Sequence, residues 1–407
     1  MEGSRLTTST LASNIRPEPA VPAWMTLLLA FACGLIAANL YYAQPLAGPI
    51  GAALGLSTGA TGLIVTVTQI GYGIGLLFIV PLGDLLEARR LMLTLIGLAT
   101  LALLGAALST HPLPFFVSTF CIGLASVAVQ VLVPYAAHMA PEAVRGRVVG
   151  NVMSGLMLGI MLARPVSSFI AQMASWHTVF FMSASAMLLL ALTLGLSLPP
   201  RDPVSTLSYR RLLGSMVRLA RATPVLRRRA LYQACLFAAF SLFWTTAPLL
   251  LAGPEFQLSQ GGIALFALAG VAGAIASPIA GRLADKGWTR PATAFAMLAV
   301  AAAFLITHFG TYGSPLALGS LVVAGILLDF GVTTSLVLGQ RAIFVLGAEY
   351  RSRLNGLYMA TFFAGGAAGS ALGGLAFAHG GWVLASWLGF AMPAAALIYF
   401  LTERRSA

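Results

Sequence analysis

ProGluAlaValArgGlyArgValValGly spans residues 141–150, and GlyAlaGluTyrArgSerArgLeuAsnGly spans 347–356. Both pair two arginines two residues apart with a glycine three residues further on. At the same offset of 206, Gly159 falls on Gly365 and Trp176 falls on Trp382. One register carrying Arg, Arg, Gly, Gly and Trp from 145 to 176 is the mark of an internal duplication. The chain is two related halves, and the rest of the sequence is read against that division.

Each half is built of apolar runs. They lie at roughly 21–42, 59–82, 91–108, 113–137, 148–173 and 179–198, and again at about 230–251, 261–280, 292–307, 316–338, 354–377 and 382–401. Each is long enough for a helix that crosses about 30 Å of hydrocarbon. No alternating apolar–polar pattern runs through them, which excludes a β-barrel. With 59% hydrophobic and 8% charged residues, the chain lacks the charge that covers a soluble protein of 407 residues.

The basic residues orient these spans. All but one of 23 lysines and arginines fall in the tails or in even-numbered connections. Arg5 and Arg16 precede span 1, Arg89 and Arg90 follow span 2, and Arg145 and Arg147 follow span 4. Eight arginines occupy the connection after span 6. Arg282, Lys286 and Arg290 follow span 8, Arg341, Arg351 and Arg353 follow span 10, and Arg404 and Arg405 close the chain. The opposite loops carry Glu255, His111, His177, His308 and His379 and no lysine or arginine. Loop basicity marks the cytoplasmic side, so both termini are expected there. A net charge of +12 spread over short loops is an orientation signal and not a nucleic-acid footprint.

The expected domains are a disordered cytoplasmic tail (1–20), a six-helix bundle (21–198), a cytoplasmic linker (199–229), a second six-helix bundle (230–401) and a short tail (402–407). Cys33, Cys121 and Cys235 lie singly in apolar runs, with no metal or redox spacing. No cofactor, metal or nucleic-acid partner is expected, and no nucleophile–base arrangement marks an enzyme. A GxxxxGK[ST] loop is missing, so an ATP-driven pump is disfavoured. The fold class is an all-α membrane protein with twelve transmembrane helices in two pseudo-symmetric bundles. Such parallel repeats are used by transporters that rock two halves about a central site.

After span 2 the chain reads ValProLeuGlyAspLeuLeuGluAlaArgArg (80–90), and after span 8 GlyArgLeuAlaAspLysGlyTrpThrArg (281–290). At these residues it resembles the major facilitator superfamily, whose signature there is G-x-x-x-D-R-x-G-x-R-R. The first copy keeps Asp84, Arg89 and Arg90 but has Val80 and Glu87 where the signature has glycine. The second keeps Gly281, Asp285, Lys286 and Arg290, with Gly287 one place early. The resemblance implies that Asp84, Arg89, Arg90, Asp285, Lys286 and Arg290 latch helix ends and bias the inward–outward equilibrium. A physical reason stands beside it: a carboxylate near a helix end can accept hydrogen bonds from a facing helix N-terminus, and arginines anchor to lipid phosphates.

Other family signatures are altered. Thr119 stands four residues before Gly123 in span 4, where the family has an arginine. GlyIleMetLeuAlaArgProValSerSer (159–168) is a degenerate form of G-x-x-x-G-P-x-x-G-G in span 5, and span 11 keeps that spacing better with Gly365, Gly369, Gly373 and Gly374. Such ladders also serve to let helices approach closely. AlaAsnLeuTyrTyrAlaGlnProLeu (38–46) and ArgSerArgLeuAsn (351–355) are similar to a bacterial subgroup of efflux permeases, which implies a multi-pass protein of the inner membrane; twelve spans should suffice as a monomer.

Two charges lie inside apolar runs: Arg164 in span 5 and Asp329 in span 10. Even the lenient insertion scale charges about 2.5–3.5 kcal/mol for such a group. Asp329 can be neutralised by taking a proton, whereas Arg164 stays charged and must be paired or hydrated. Counted from the basic ends, Arg164 sits roughly 24 Å up and Asp329 roughly 14 Å, an offset of about 10 Å that strains a direct pair. Asp329 is the expected proton-coupling residue. Asn39, Tyr42, Gln130, Arg164 and Trp244 are the expected substrate contacts. Asn39 and Tyr42, three apart, share a helix face, Tyr41 is level with Trp244 in the repeat, and Thr333 and Thr334 follow Asp329 by about one turn.

Sparse polar points among Phe240, Phe243 and Trp244 imply an amphipathic or largely apolar solute. The expected function is proton-coupled efflux of a small organic solute by alternating access, with protons and membrane lipids as further partners. Proton-coupled uptake or uniport is the alternative within transport. A non-transporting structural or receptor-like membrane protein is the alternative outside it.

Overall fold

The computed structural model describes residues 22–201, 208–347 and 350–403. The expected tail 1–20 and its arginines lie outside the described residues, as do Arg404 and Arg405. The first half comprises α1 (Ala23–Ala38), α2 (Ala47–Ala53), α3 (Gly62–Phe78), α4 (Ala88–Leu108), α5 (Pro112–Ser126), α6 (Ala128–Met139), α7 (Glu142–Met173) and α8 (Trp176–Ser197). After α9 (Tyr209–Ala222), the second half comprises α10 (Pro224–Ala252), α11 (Gln260–Ala267), α12 (Ala272–Asp285), α13 (Thr289–Ile306), α14 (Pro315–Phe344) and α15 (Arg351–Leu401).

These elements make twelve crossings. Ten helical stretches are long and apolar enough by themselves, and α1 with α2 forms one more crossing. The last comes from α15, whose 51 residues are interrupted at Gly380 and Gly381. Gly381 takes φ +58°, which a β-carbon disfavours, and the chain turns back there. The two arms accordingly meet the same helix: a side chain at Gly365 would strike the backbone of Ala234, while Phe400 packs on Tyr232. Span 1 runs further than its apolar stretch indicates. It breaks over 39–46 and resumes as α2, a region where Pro45 has no N–H to continue the ladder.

The duplicated glycines act as close-packing points in both halves. Gly159 of α7 lies against the Gly34 carbonyl of α1, and Gly365 of α15 lies against the Ala234 carbonyl of α10. A methyl at either site would overlap that backbone, so small residues let the paired helices touch without solvent between them. The outward faces are strongly apolar, with Leu101, Leu113 and Leu196 exposed, as expected of a surface facing lipid tails.

Two seams join the halves. One is α3 against α15, where Thr66 and Ser370 hydroxyls lie 2.7 Å apart. The other is α7 against α11, where the Gly261 N–H donates to Gln172 at 3.1 Å. The amphipathic α9 straps the arginine-rich end. It buries Leu212 and Met216, donates from the Tyr209 hydroxyl to the Phe78 carbonyl, and accepts from Arg353 at Ser215. Both described chain ends lie at that same end: Ala23 and Thr26 share a cleft with Arg147, and Glu403 pairs with Arg229. Residues Arg227–Arg229, expected in the linker, form part of the first turns of α10.

Candidate functional site

The break in span 1 sets the site. Beyond Ala38 the backbone makes a series of turns, and the side chains of Tyr41 and Gln44, three residues apart, are both buried. Gln44 presents its carbonyl to α7, where Arg164 Nε donates to Oε1 at 2.8 Å. Arg164 is 1% exposed, so its charge is held wholly by protein groups. Three rings supply most of that surrounding. The guanidinium carbon lies 5.3 Å from the Tyr41 centroid, 4.9 Å from Phe240 and 4.4 Å from Trp244. Desolvated cation–ring contacts are worth about 2 kcal/mol each, which offsets part of the penalty for a charge away from water.

Trp244 also faces the acid. Its indole N–H donates to Asp329 Oδ2 at 2.9 Å. Between the two charges stands Gly270, in the 3-10 turn Leu268–Val271 that interrupts span 8. A methyl placed on Gly270 would lie 3.0 Å from Arg164 Nη1, 3.4 Å from the Trp244 ring and 3.5 Å from Asp329 Oδ1. The ion pairs among the described residues are Arg90–Glu87, Arg229–Glu403 and Arg341–Asp285, so Arg164 and Asp329 are near neighbours without a direct salt bridge. Counting residues sets the two positions about 10 Å apart along their helices, and both side chains nonetheless reach the same glycine.

The cluster draws on both halves: Tyr41, Gln44 and Arg164 from the first, Phe240, Trp244, Gly270 and Asp329 from the second. Two buried donors in it have no partner, Arg164 Nη2 and Gln44 Nε2. Buried polar atoms are almost always satisfied by protein, water or a ligand, so these two donors are available to an added acceptor.

Of the expected substrate contacts, Arg164 and Trp244 join Asp329 here. Asn39 and Tyr42 do share a face, but it is turned to α8, where Ser183 donates to Asn39 Oδ1 at 2.6 Å. Gln130 donates to the Tyr72 hydroxyl at 3.0 Å, and Tyr72 in turn packs on Phe363 of α15 with ring centroids 4.4 Å apart. These three residues stand outside the charged cluster. Gln44 and Gly270 were missed. Gln44 lies in the broken stretch 39–46, where spacing does not indicate which way a side chain faces, and nothing local in the sequence distinguishes Gly270 from the 42 other glycines.

The residues expected to latch the helix ends divide into two kinds. Asp84 lies in one cleft with Arg353 of α15, so the first motif copy reaches across the halves. Arg89 donates to the Gly195 carbonyl within the first half, and Arg90 pairs with Glu87. In the second copy Asp285 pairs with Arg341, Arg290 donates to the Glu403 carbonyl, and Lys286 is exposed. All of these contacts stay within the second half. Glu87, standing where the signature has glycine, caps α4 by accepting from the N–H groups of Arg89 and Arg90 at 2.8 and 2.9 Å.

Comparison with known proteins agrees with this architecture. The chain is 40% identical over 367 residues to the "Uncharacterized transporter YgaY" of Escherichia coli, covering 90% of this chain and 92% of that protein. It is 32% identical over 373 residues to the "Probable transporter SCO4007" of Streptomyces coelicolor, covering 89% and 84%. Among solved structures, the xylose transporter XylE from Escherichia coli, partially occluded and inward open, superposes with a TM-score of 0.69 at 15% identity, covering 94% and 98%. The nucleoside transporter NupG gives a TM-score of 0.68 at 15% identity, covering 93% and 99%. At that identity the likeness is one of fold. The family model for the Major Facilitator Superfamily matches residues 26–348, and the chain, a multi-pass membrane transporter by fold and relatives, belongs to that superfamily.

Proposed function

We propose that this protein is a proton-coupled secondary active transporter that exports a small amphipathic organic solute across the bacterial inner membrane, with both termini in the cytoplasm and the monomer as the working unit. The observation that carries the reading is the Arg164–Gly270–Asp329 cluster at the junction of the two halves. A junction between repeats is where rocking changes exposure from one side of a membrane to the other. Asp329 is the group there that can change charge by binding a proton, because a guanidinium stays protonated. The aromatic rings around Arg164 support a solute with an apolar body. Asp84 against Arg353 is the latch between halves at the arginine-rich end.

The test is purified protein in liposomes with an imposed pH gradient, followed for both solute flux and proton movement over a solute panel. Solute leaving against entering protons is the expected sign, and movement of both in one direction would favour uptake. Asp329→Asn should abolish gradient-driven accumulation and leave whatever solute exchange remains at equilibrium independent of pH. Unchanged gradient dependence in that variant would remove Asp329 from the proton path.

A further inference from the structure

We infer that the solute is a zwitterion of the amino-acid class with an apolar side chain, its carboxylate held by Arg164 and Gln44 and its ammonium by Asp329. This rests on the transport reading above and adds the ligand's chemistry to it.

The polar atoms at the site define the ligand. Arg164 Nη2 and Gln44 Nε2 are buried donors without acceptors, on two side chains already joined by the Arg164–Gln44 hydrogen bond. A planar guanidinium with a neighbouring amide N–H matches the two oxygens of a carboxylate. Asp329 Oδ2 is occupied by the Trp244 indole, whereas Oδ1 looks toward Gly270 and Arg164 Nη1. A simple anion on Arg164 would face the Asp329 carboxylate across one glycine. A simple cation on Asp329 would face the guanidinium. A solute carrying both charges on adjacent carbons meets a partner at each end, and the rings of Tyr41, Phe240 and Trp244 that already enclose the guanidinium make the surroundings of its side chain apolar. Gly270 contributes by its small size: a methyl there would crowd the guanidinium, the indole and the carboxylate.

The same arrangement gives the sign of coupling. An ammonium and a proton exclude one another at Asp329, so binding the solute expels the proton and binding the proton expels the solute. That mutual exclusion is the condition for exchange. The charged and titratable groups facing Asp329 are Arg164 from α7 and Tyr41 from span 1. α10 faces it with the Trp244 indole, the turn at 268–271 with Gly270, and α12 with Gly273.

The experiment is equilibrium binding to the purified full-length protein, with no gradient, by calorimetry in buffers of different ionisation enthalpy. The probes are L-phenylalanine, L-leucine, phenylpropionate (no amine) and phenethylamine (no carboxylate). L-Phenylalanine or L-leucine should bind, and each truncated probe should bind about tenfold or more weakly, as expected for loss of one charge-assisted contact. Zwitterion binding should release a proton and strengthen as pH rises, and both effects should vanish in Asp329→Asn. Arg164→Lys should weaken the zwitterions and phenylpropionate alike. Should that variant not fold, Gln44→Leu tests the same contact.

Equal binding of zwitterions and either truncated probe, or no binding of either amino acid, overturns the proposal. Gradient-driven flux of other solutes without amino-acid binding would overturn the ligand class and leave the transport reading standing. Amino-acid binding without gradient-driven flux would do the reverse.

Discussion

Arg164 and Asp329 approach one point in space from opposite halves of the molecule, on either side of Gly270, yet form no ion pair. Each is held off the other by a different partner: Gln44 fixes the guanidinium through Nε, and the Trp244 indole fixes the carboxylate through Oδ2. A direct pair at this depth would satisfy both charges and lock the halves together. Separate tethering keeps each charge available, and it makes the narrow separation of the two charges at Gly270 the sensitive element.

Crowding that point is the first prediction. Gly270→Ala places a methyl 3.0 Å from Arg164 Nη1, closer than ordinary van der Waals contact, and a side chain can yield by a few tenths of an ångström. The fold should survive with a loss of about 1–3 kcal/mol or less in stability. Solute transport should fall far more than stability does, and Gly270→Val should abolish it. Equal transport by wild type and Gly270→Val in liposomes would remove this position from the solute path.

Trp244 has two roles that one substitution separates. Trp244→Phe keeps a ring over Arg164 and removes the N–H bonded to Asp329 Oδ2. A hydrogen bond to a charged group is worth about 1.5–3 kcal/mol, so gradient-driven transport should drop about tenfold or more. Phe240→Leu, which removes a ring and no hydrogen bond, should weaken solute affinity while gradient dependence persists. Initial rates across a pH-gradient series distinguish the two.

The division of labour among residues shows what the sequence discloses. Apolar runs, loop arginines and the repeat at 141–150 and 347–356 are long-range patterns written in single residues, and they determine the twelve crossings and the pairing of halves. Arg164, Asp329 and Trp244 are legible too, because a charge in an apolar span needs a partner and Trp244 is level with Tyr41 in the repeat. Asn39, Tyr42 and Gln130 are polar in the same way, but each bonds to a hydroxyl within its own half. Which side of a broken helix a residue faces depends on how span 1 turns over 39–46, and helical spacing does not apply across that break. Gly270 carries no signal, since its role is to let the side chains of Arg164, Trp244 and Asp329 approach its backbone closely.

At the arginine-rich end, the two motif copies predict different consequences. Asp84 shares a cleft with Arg353 of the other half, whereas Asp285 pairs with Arg341 of its own. Asp84→Asn should therefore open that end, and Asp285→Asn should not. With spin labels at positions 145 and 351, the long-distance population should rise about three- to tenfold in Asp84→Asn, a shift of ~0.7–1.4 kcal/mol. Identical distance distributions for wild type and Asp84→Asn would show that this contact does not set the equilibrium.

Glu87 gives the last prediction, one that depends on pH. Its burial opposes the charge, yet the N–H groups of Arg201, Arg89 and Arg90 and the nearby Arg90 guanidinium outweigh it and hold the carboxyl below its usual range. A carboxyl lowered by folding stabilises the protein fully above its unfolded pKa, and that contribution disappears as pH falls through the folded value. Glu87→Ala should cost about 1 kcal/mol at neutral pH, the usual loss for a helix cap. The gap in melting temperature between wild type and Glu87→Ala should then close as the pH is lowered from 7 through 4 toward 3, because the protonated wild-type side chain no longer offers a charged acceptor to three backbone donors. A gap that stays constant over that range would mean that Glu87 holds the start of α4 by packing and not by its charge.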